Sequence, residues 1–323
     1  MSPVDNADIG RKVVLLEVDA DQAGQRVDNF LAARLKGVPR SRLYRLLRKG
    51  EVRVNKKRIK PEYKLAPGDV VRIPPVTVKA QEPKGAVSQS MGRLLEQSIL
   101  LELPGLLVVN KPAGLAVHGG SGVNLGLIES LRQLRPNDRY LELVHRLDRD
   151  TSGCILIARK RSMLRYLQEE LRQRRNIQKY YQALVLGQWS KRKHVVDAPL
   201  LRLESPGGNR IVKVSPDGKP SRTEFKVLRR FEGFSLVQAK PVTGRTHQIR
   251  VHAQSQHCPL LGDEKYGDDD VNQRMRKQGF KRLFLHAAAL EFTLPDEDEA
   301  RRVEAPLWPE LAEPLAMLKE IPL

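Results

Sequence analysis

Cysteine is scarce in this chain of 323 residues, which carries only Cys154 and Cys258. Neither has a partner at metal-ligand spacing, so the sequence supports neither a disulfide framework nor a zinc site. This cysteine usage fits a reducing compartment.

Long apolar segments are also missing. No run approaches the ~20 apolar residues of a membrane span, and the N-terminal "MSPVDNADIGRK" lacks the basic-then-apolar order of a signal peptide. Hydrophobic residues still make up 40% of the chain, enough for a core, and the length favours a large domain plus a smaller one. We therefore expect a cytoplasmic protein, by default a monomer.

Acidic residues are outnumbered, with 38 Asp and Glu against 57 Lys and Arg, a net charge of +19. The excess clusters between Arg26 and Lys60, where thirteen basic residues face two acidic ones, a local excess of eleven. A protein that is merely basic would not concentrate its charge in this way. The clustering points to a polyanionic partner.

The basic segment has the pattern of two tandem helices. "RVDNFLAARLKG" ends in a glycine, and "RLYRLLRKG" repeats this ending after an N-cap candidate, Ser41. In the second helix Leu43, Leu46 and Leu47 share one face. The opposite face carries the cations that we expect to contact phosphates: Arg42, Arg45 and Lys49.

Two short strands, "EVRVN" and "GDVVRIP", follow the helices. Residues 24–75 thereby resemble an S4 RNA-binding domain, which implies RNA as the partner. The polar "VTVKAQEPKGAVSQSMG" predicts an interdomain linker. The predicted organisation is a tail (1–20), an S4-like domain (21–75), a linker (76–95) and a catalytic domain (96–323).

Beyond the linker the sequence is rich in strands, and helices intervene irregularly. This order favours an α+β fold with a mostly antiparallel sheet over a repeating βα fold. A helix is predicted at 161–175. Strands are predicted at 106–110, 140–147, 154–159, 180–187 and 234–240.

The stretch "HRLDRDTSG" places charge at the end of a predicted strand. A carboxylate there needs a cation or strong hydrogen bonds to stay ionised, and Arg146, Arg149 or a distant arginine could supply the charge. The "DTSG" turn accounts for Asp150 and predicts a positive φ at Gly153. Asp148 has no such explanation, and from the residues alone a structural ion pair and a functional carboxylate both remain open.

The same stretch resembles the signature of the RluA-type pseudouridine synthases. Three further stretches resemble that family in the expected order: "NKPAGLAVHGGSG" (110–122), "QKYYQALVLG" (178–187) and "GRTHQIRVHAQSQHCPLLGDEKYG" (244–267). Within the first, "HGGSG" is expected to allow close backbone approach to RNA. A departure is the acidic-then-basic "DDDVNQRMRKQGFKRL" after Tyr266.

The resemblance implies an isomerase that converts specific uridines of large-subunit (23S) ribosomal RNA to pseudouridine without a cofactor or metal. It assigns catalysis to Asp148, either as nucleophile toward the sugar or as the base that removes the 2′ proton. Tyr181 would stack on the extruded uracil and could take the C5 proton. Tyr180 is a weaker rival because it is adjacent.

Further roles follow from the same resemblance. Arg250 is the expected ion-pair partner of Asp148, with Arg245 as runner-up, and Arg146 would enter the duplex as the nucleotide leaves it. The other residues expected to bind substrate are Lys179, Arg245, His247 and Gln248. His247 and His252 are five residues apart, a poor helical spacing for a metal pair.

Two other functions compete. Ser152 and the histidines suggest a hydrolase, but no Gly-x-Ser-x-Gly elbow is present. A non-catalytic RNA-binding or ribosome assembly factor would need only the S4-like domain and the positive charge. That alternative leaves Asp148 unexplained.

Overall fold

The computed structural model describes residues 12–322 except 20–21, 36, 77–84, 120–124, 191, 193 and 205–209. The chain divides into two compact units, residues 1–84 and 85–323, which are described separately. None of the helices in these described ranges is both long enough and apolar enough to cross a membrane.

The N-terminal unit packs two helices on a small antiparallel sheet with the strand order β1-β3-β2. The predicted apolar stripe is confirmed, because Leu43, Leu46 and Leu47 are buried, and Gly50 ends the helix in the left-handed conformation. The elements are β1 (Val14–Glu17), α1 (Val27–Arg34), α2 (Arg40–Lys49), β2 (Arg53–Val54) and β3 (Val70–Ile73).

Two details of this unit differ from the prediction. Residues 14–17, predicted as part of a tail, form β1, because Val14 and Leu16 alternate into the core while the strand pairs with β3. Helix α2 has Pro39 as its N-cap instead of Ser41, which lies inside the first turn. The fixed φ of proline favours this earlier start.

The second unit has a large mixed sheet flanked by helices. Its helices are α3 (Gln89–Gln97), α4 (Leu127–Leu134), α5 (Arg161–Gln173), α6 (Gln248–Ser255), α7 (Asp269–Arg276) and α8 (Pro309–Ala316). Its strands are β4 (Ile99–Leu103), β5 (Leu106–Lys111), β6 (Glu142–Leu143), β7 (Ser152–Ala158), β8 (Ile177–Leu186), β9 (Val195–Asp197), β10 (Leu200–Glu204), β11 (Arg210–Val214), β12 (Arg222–Phe231), β13 (Phe234–Pro241), β14 (Leu285–Phe292), β15 (Arg301–Glu304) and β16 (Glu320–Ile321).

The main sheet has the order β16-β12-β13-β8-β14-β7-β5-β4, with β15, β6 and β9 paired beside β14, β7 and β12. Its pairs are antiparallel except β7 with β14, which confirms the predicted α+β class. At this parallel pair Gly153 has φ +108°, and a Cβ there would lie 2.3 Å from the Ala287 carbonyl oxygen. The predicted positive φ thus also permits close strand approach.

One predicted strand is wrong, and its loss shapes the site. Residues 140–147 contribute only β6, after which the chain leaves the sheet. The reason is local: the Leu156 N–H donates to Nε2 of His145, at 3.2 Å, instead of to a strand carbonyl. Asp148 therefore stands on a loop and not at a strand end.

The predicted linker is too long at its C-terminal end. Ser88 caps α3 by accepting a hydrogen bond from the Met91 N–H, and Leu95 of that helix is fully buried. Residues 89–95 therefore belong to the second unit. The other predicted elements, at 106–110, 154–159, 161–175, 180–187 and 234–240, match β5, β7, α5, β8 and β13 within a few residues.

Candidate active site

A cavity of about 270 Å³ opens where the 145–151 loop, β8 and the β13–α6 connection converge. The volume is near the lower end for small-ligand pockets, roughly 300 Å³, and suits a group the size of a nucleobase. All eight site residues predicted in this unit line it: Arg146, Asp148, Lys179, Tyr181, Arg245, His247, Gln248 and Arg250.

Asp148 presents its carboxylate to this cavity with 34% of the side chain exposed. Among the described residues, the basic group in contact with it is Nε2 of His247, 3.9 Å from Oδ2. Arg245, the expected runner-up for an ion pair, instead directs Nε to the Pro220 carbonyl at 3.3 Å. Asp148 is therefore open to solvent and to a substrate.

The expected ion pair between Asp148 and Arg250 is wrong for this structure. The guanidinium of Arg250 binds Asp263 through two hydrogen bonds of 2.7 and 2.6 Å. Asp263 is 1% exposed and also accepts from the backbone N–H groups of Lys265 and Tyr266. A rigid, buried carboxylate matches the planar guanidinium better than a solvent-exposed one.

This pair changes the pKa values of both groups. Burial alone would lower the pKa of Arg250, but the hydrogen bonds and charge of Asp263 raise it above its ordinary value. Burial would likewise raise the pKa of Asp263, yet Arg250 and two backbone donors hold it below its usual range. Both groups are charged at neutral pH, and Arg250 faces the cavity with its charge already compensated.

His247 is oriented by Tyr266. Nδ1 of His247 lies 2.8 Å from the Tyr266 hydroxyl, which accepts a hydrogen bond from the Val212 N–H. Burial raises the pKa of Tyr266, so its hydroxyl keeps a hydrogen, and within the described residues the acceptor for that hydrogen is Nδ1. The imidazole then carries its proton on Nε2, the nitrogen that faces Asp148. Burial and the charge of Arg250 lower the pKa of His247, which favours this neutral form.

Replacing Tyr266 with Phe tests this orientation. We expect a loss of about 1–3 kcal/mol of unfolding free energy, because the buried Val212 N–H loses its acceptor. We also expect a mixture of His247 tautomers, measured by nitrogen-15 NMR of the imidazole. Tyr166→Phe, which removes one hydrogen bond to the Thr293 carbonyl, is the matched control. An unchanged Nε2–H tautomer in the Tyr266 variant would contradict the assignment.

Strand β8 presents Tyr181 and Lys179 to the cavity and Tyr180 to the other face. Tyr181 is 8% exposed, and burial, together with the charge of Asp148, raises the pKa of its phenol. Burial lowers the pKa of Lys179. Tyr180 instead packs under the guanidinium of Arg302, 4.9 Å from its ring centroid, so the rival tyrosine does not reach the cavity.

The side chain of Gln248, which was expected to bind substrate, is hydrogen-bonded to other residues of the protein. Its Oε1 accepts from the Thr243 hydroxyl at 2.7 Å and from the Arg245 N–H at 3.0 Å. Its Nε2 donates to the Arg222 carbonyl and the Thr223 hydroxyl. Because the amide is hydrogen-bonded on both sides and 4% exposed, it shapes the turn before α6.

Lys111 anchors the loop that follows Asp148. Its fully buried ammonium donates to the carbonyls of Pro112, Leu115 and Arg149 at 2.9, 2.9 and 3.0 Å. Burial lowers the pKa of Lys111 to about 7, whereas the three acceptors favour the charged form, which has three protons to donate. The contact ties the turn after Asp148 to the end of β5.

Ser152 and His286 do form a serine–histidine pair, with Oγ 2.9 Å from Nδ1. Both residues are 0% exposed. Nε2 of His286 bonds the Ala305 carbonyl, and Arg282 donates to the serine oxygen. Burial lowers the pKa of His286 to about 4. The pair holds β7 to β14 and β15 and is closed to any substrate, which argues against the hydrolase alternative.

Comparison with known proteins decides the family. The RNA pseudouridylate synthase model matches residues 105–255, and the S4 domain model matches residues 25–71. The ribosomal large subunit pseudouridine synthase C of Pasteurella multocida is 54% identical over 97% of this chain and 96% of its own length. The Yersinia pestis protein of that name is 56% identical over 95% of this chain and 96% of its own length. The chain belongs to the RNA pseudouridylate synthase family.

Solved structures agree. Human RNA pseudouridylate synthase domain containing 4 superposes with a TM-score of 0.57 at 28% identity, over 70% of this chain and 95% of that one. Human RNA pseudouridylate synthase domain containing 1 superposes with a TM-score of 0.57 at 27% identity, over 70% of this chain and 89% of that one. The protein is thus a pseudouridine synthase, an isomerase, with an S4 domain ahead of its catalytic domain.

Two residues behind the site were not predicted from the sequence. Asp263 and Tyr266 lie in "GDEKYG", a stretch that resembled the family but whose side chains received no role. The departure after Tyr266 proves to contain α7, whose Asn272 accepts from the Gly262 N–H and donates to the Asp263 carbonyl. The buried amide of Asn272 fixes the loop that carries Asp263. Asn272 was not predicted to have a role, because it lies in a segment that departs from the family pattern.

No group of three histidine, cysteine or acidic side chains in the described part of the chain could hold a metal ion. His252, half of the doubtful histidine pair, bonds the Thr223 hydroxyl and the Ala198 carbonyl. Part of the predicted "HGGSG" approach loop, residues 120–122, lies outside the described residues.

Proposed function

We propose that this pseudouridine synthase isomerises specific uridines of large-subunit ribosomal RNA, with Asp148 as the catalytic residue. The observation that carries the proposal is the solvent-open carboxylate of Asp148 in a cavity of nucleobase size. Support for the substrate comes from relatives named for the large ribosomal subunit at 54% and 56% identity. We further propose that it acts as a cytoplasmic monomer, on free RNA or on RNA within an assembly intermediate.

The reaction breaks the N1–C1′ bond of uridine and joins C5 to C1′. The C5 proton is lost and N1 gains one, so no cofactor is consumed. Asp148 either attacks C1′ to form a sugar ester or removes the 2′ proton to give a glycal. Both routes use the ionised carboxylate as the reacting group.

Tyr181 is proposed as the surface on which the uracil stacks while it rotates. Its ring lines the cavity, and its raised pKa keeps the phenol protonated at neutral pH. This favours stacking and hydrogen-bond donation over removal of the C5 proton, which would require the phenolate.

The cations around the cavity are proposed to hold the extruded nucleotide. Arg146 is exposed at the edge of the cavity, where a long planar cation can stack on bases and fill the space that the nucleotide vacates. Lys179, Arg245 and the Nε2–H of His247 supply donors for phosphate and uracil oxygens.

Release of tritium tests the reaction. Large-subunit ribosomal RNA transcribed with 5-tritiated uridine should lose label to water when the wild-type protein is added, since pseudouridine formation exchanges the C5 hydrogen. Mapping of the modified positions then identifies the target uridines. Tight binding without tritium release, from free RNA and from precursor particles alike, would contradict the proposed function.

The S4 domain is proposed to bind RNA phosphates through α2. We expect Arg42, Arg45 and Lys49, changed together to Gln, to weaken binding and to reduce the slope of log affinity against log salt by about two to three, because about three phosphate contacts are lost. Filter binding across a salt series measures both effects.

The control for that variant neutralises three surface cations that pair with carboxylates: Arg229 with Glu320, Arg301 with Glu297 and Lys319 with Glu232. Its salt slope should match that of the wild type. Equal slopes for both triple variants would show that α2 does not face the RNA.

A further inference from the structure

A second and larger depression adjoins the active-site cavity. It has a volume of about 580 Å³ and lies between the C-terminal end of α5, the start of β8 and the end of β13. The two depressions share part of their walls, so a chain leaving the cavity would enter this groove. The shared residues are Lys179, Pro241, Thr243, Gly244 and Arg245.

The groove is strongly cationic. Its one acidic lining residue among those described is Glu224, which lies 3.6 Å from Lys240. Its basic lining residues are Arg172, Arg174, Arg175, Lys179, Lys240 and Arg245. An anionic ligand is therefore favoured along the groove, and a neutral or cationic one is not.

Among the basic residues of the groove, Arg174 has the least evident structural role. It caps α5 with φ 55° and ψ 38°, the left-handed conformation usually taken by glycine or asparagine. Its neighbours Arg172 and Arg175 pair with Glu169 and Glu170, but the exposed guanidinium of Arg174 has no hydrogen bond or ion pair within the described structure. An arginine at a strained position without an internal partner is well placed to bind a ligand from outside.

We propose that this groove binds the RNA strand adjacent to the target nucleotide, with Arg174 and Lys240 contacting its phosphates. The inference rests on the proposed function, because it takes the nucleotide in the cavity to belong to a continuous RNA chain. The strand is single-stranded here, since extrusion of the target unpairs it locally. Flanking contacts of this kind select uridines whose neighbours can leave a helix.

Arg174→Gly and Lys240→Gln, singly and combined, test the groove. Arg174→Gly removes the cation while relieving the left-handed strain, so its melting temperature should equal or exceed that of the wild type, whereas its RNA affinity should fall. For the double variant we expect about tenfold weaker binding of a large-subunit ribosomal RNA transcript near 0.15 M salt. Its salt slope should be smaller by about 1.4–1.8, two lost phosphate contacts at 0.7–0.9 each.

Arg301→Gln with Lys319→Gln is the matched control, because both cations are exposed, do not line the groove and, like Lys240, pair with a carboxylate. Affinity and slope equal to those of this control would overturn the proposal, as would a loss of affinity without a change in slope. Tritium release by the wild-type protein reports separately on the proposed function. The groove proposal and the proposed function are therefore tested independently.

Discussion

Asp148→Asn should abolish tritium release while leaving RNA binding intact. Removal of a nucleophile or a general base costs at least about 10²–10⁴ in rate, and asparagine can perform neither task. The folded state should tolerate the change, because the carboxylate is partly exposed and the described structure shows no hydrogen bond to it. Binding should stay the same or tighten slightly, since a negative charge is removed from a cationic surface.

Asp150→Asn is the matched control, two residues away in the same loop. Asp150 is exposed and pairs with its neighbour Arg149 at 3.1 Å, outside the cavity. Rates should be compared in single turnovers with RNA saturated by each protein, so that differences in affinity do not enter. Wild-type turnover by the Asp148 variant would remove that residue from the mechanism, and equal losses in both variants would point to the loop instead of the carboxylate.

Asp263→Asn should destabilise the protein strongly, although Asp263 is not a predicted site residue. The change leaves the Arg250 guanidinium, whose side chain is 11% exposed, without its counter-charge. Removing one partner of a buried ion pair costs about 3–5 kcal/mol. Urea unfolding at neutral pH measures the loss. Glu264→Gln is the control, because it breaks an exposed pair with Arg276 and should cost no more than about 1 kcal/mol.

The pH dependence follows from the lowered pKa of Asp263. Because its pKa in the folded protein lies below the ordinary value of 3.8, the carboxylate contributes stability above the unfolded pKa and loses it as the pH falls through the folded one. The difference between wild type and Asp263→Asn should thus be constant around neutrality and shrink only below about pH 4. A difference that shrinks between pH 7 and 5 would show that another group carries the effect.

Local sequence patterns were sufficient to predict most of the helices and strands. The spacing of leucines in α2 and α5 and the apolar runs of β5, β7, β8 and β13 are short-range properties, and the structure confirms them. The strand predicted at 140–147 failed because a side chain, His145, replaced a backbone acceptor. The predicted tail and linker are too long, because β1 and α3 are stabilised by burial against distant residues.

The sequence predicted which residues line the cavity but not which contacts they make. All eight predicted residues of the catalytic domain line the cavity, because the family motifs named them. Gln248 turned out to support a turn, and Arg250 turned out to bind Asp263. Asp148 and Asp263 are equivalent by charge and residue type, so sequence alone offered no basis for choosing between them.

The sequence by itself determined the family, the S4 domain, the sign of the charge and the identity of the residues around the cavity, since each depends on residue type or on neighbours in the chain. Only the tertiary structure decided which carboxylate neutralises Arg250, which nitrogen of His247 faces Asp148 and which cations of α5 lie beside the cavity. Those outcomes depend on burial and on ångström-scale distances between residues far apart in the chain. Pairing energies change steeply with both quantities.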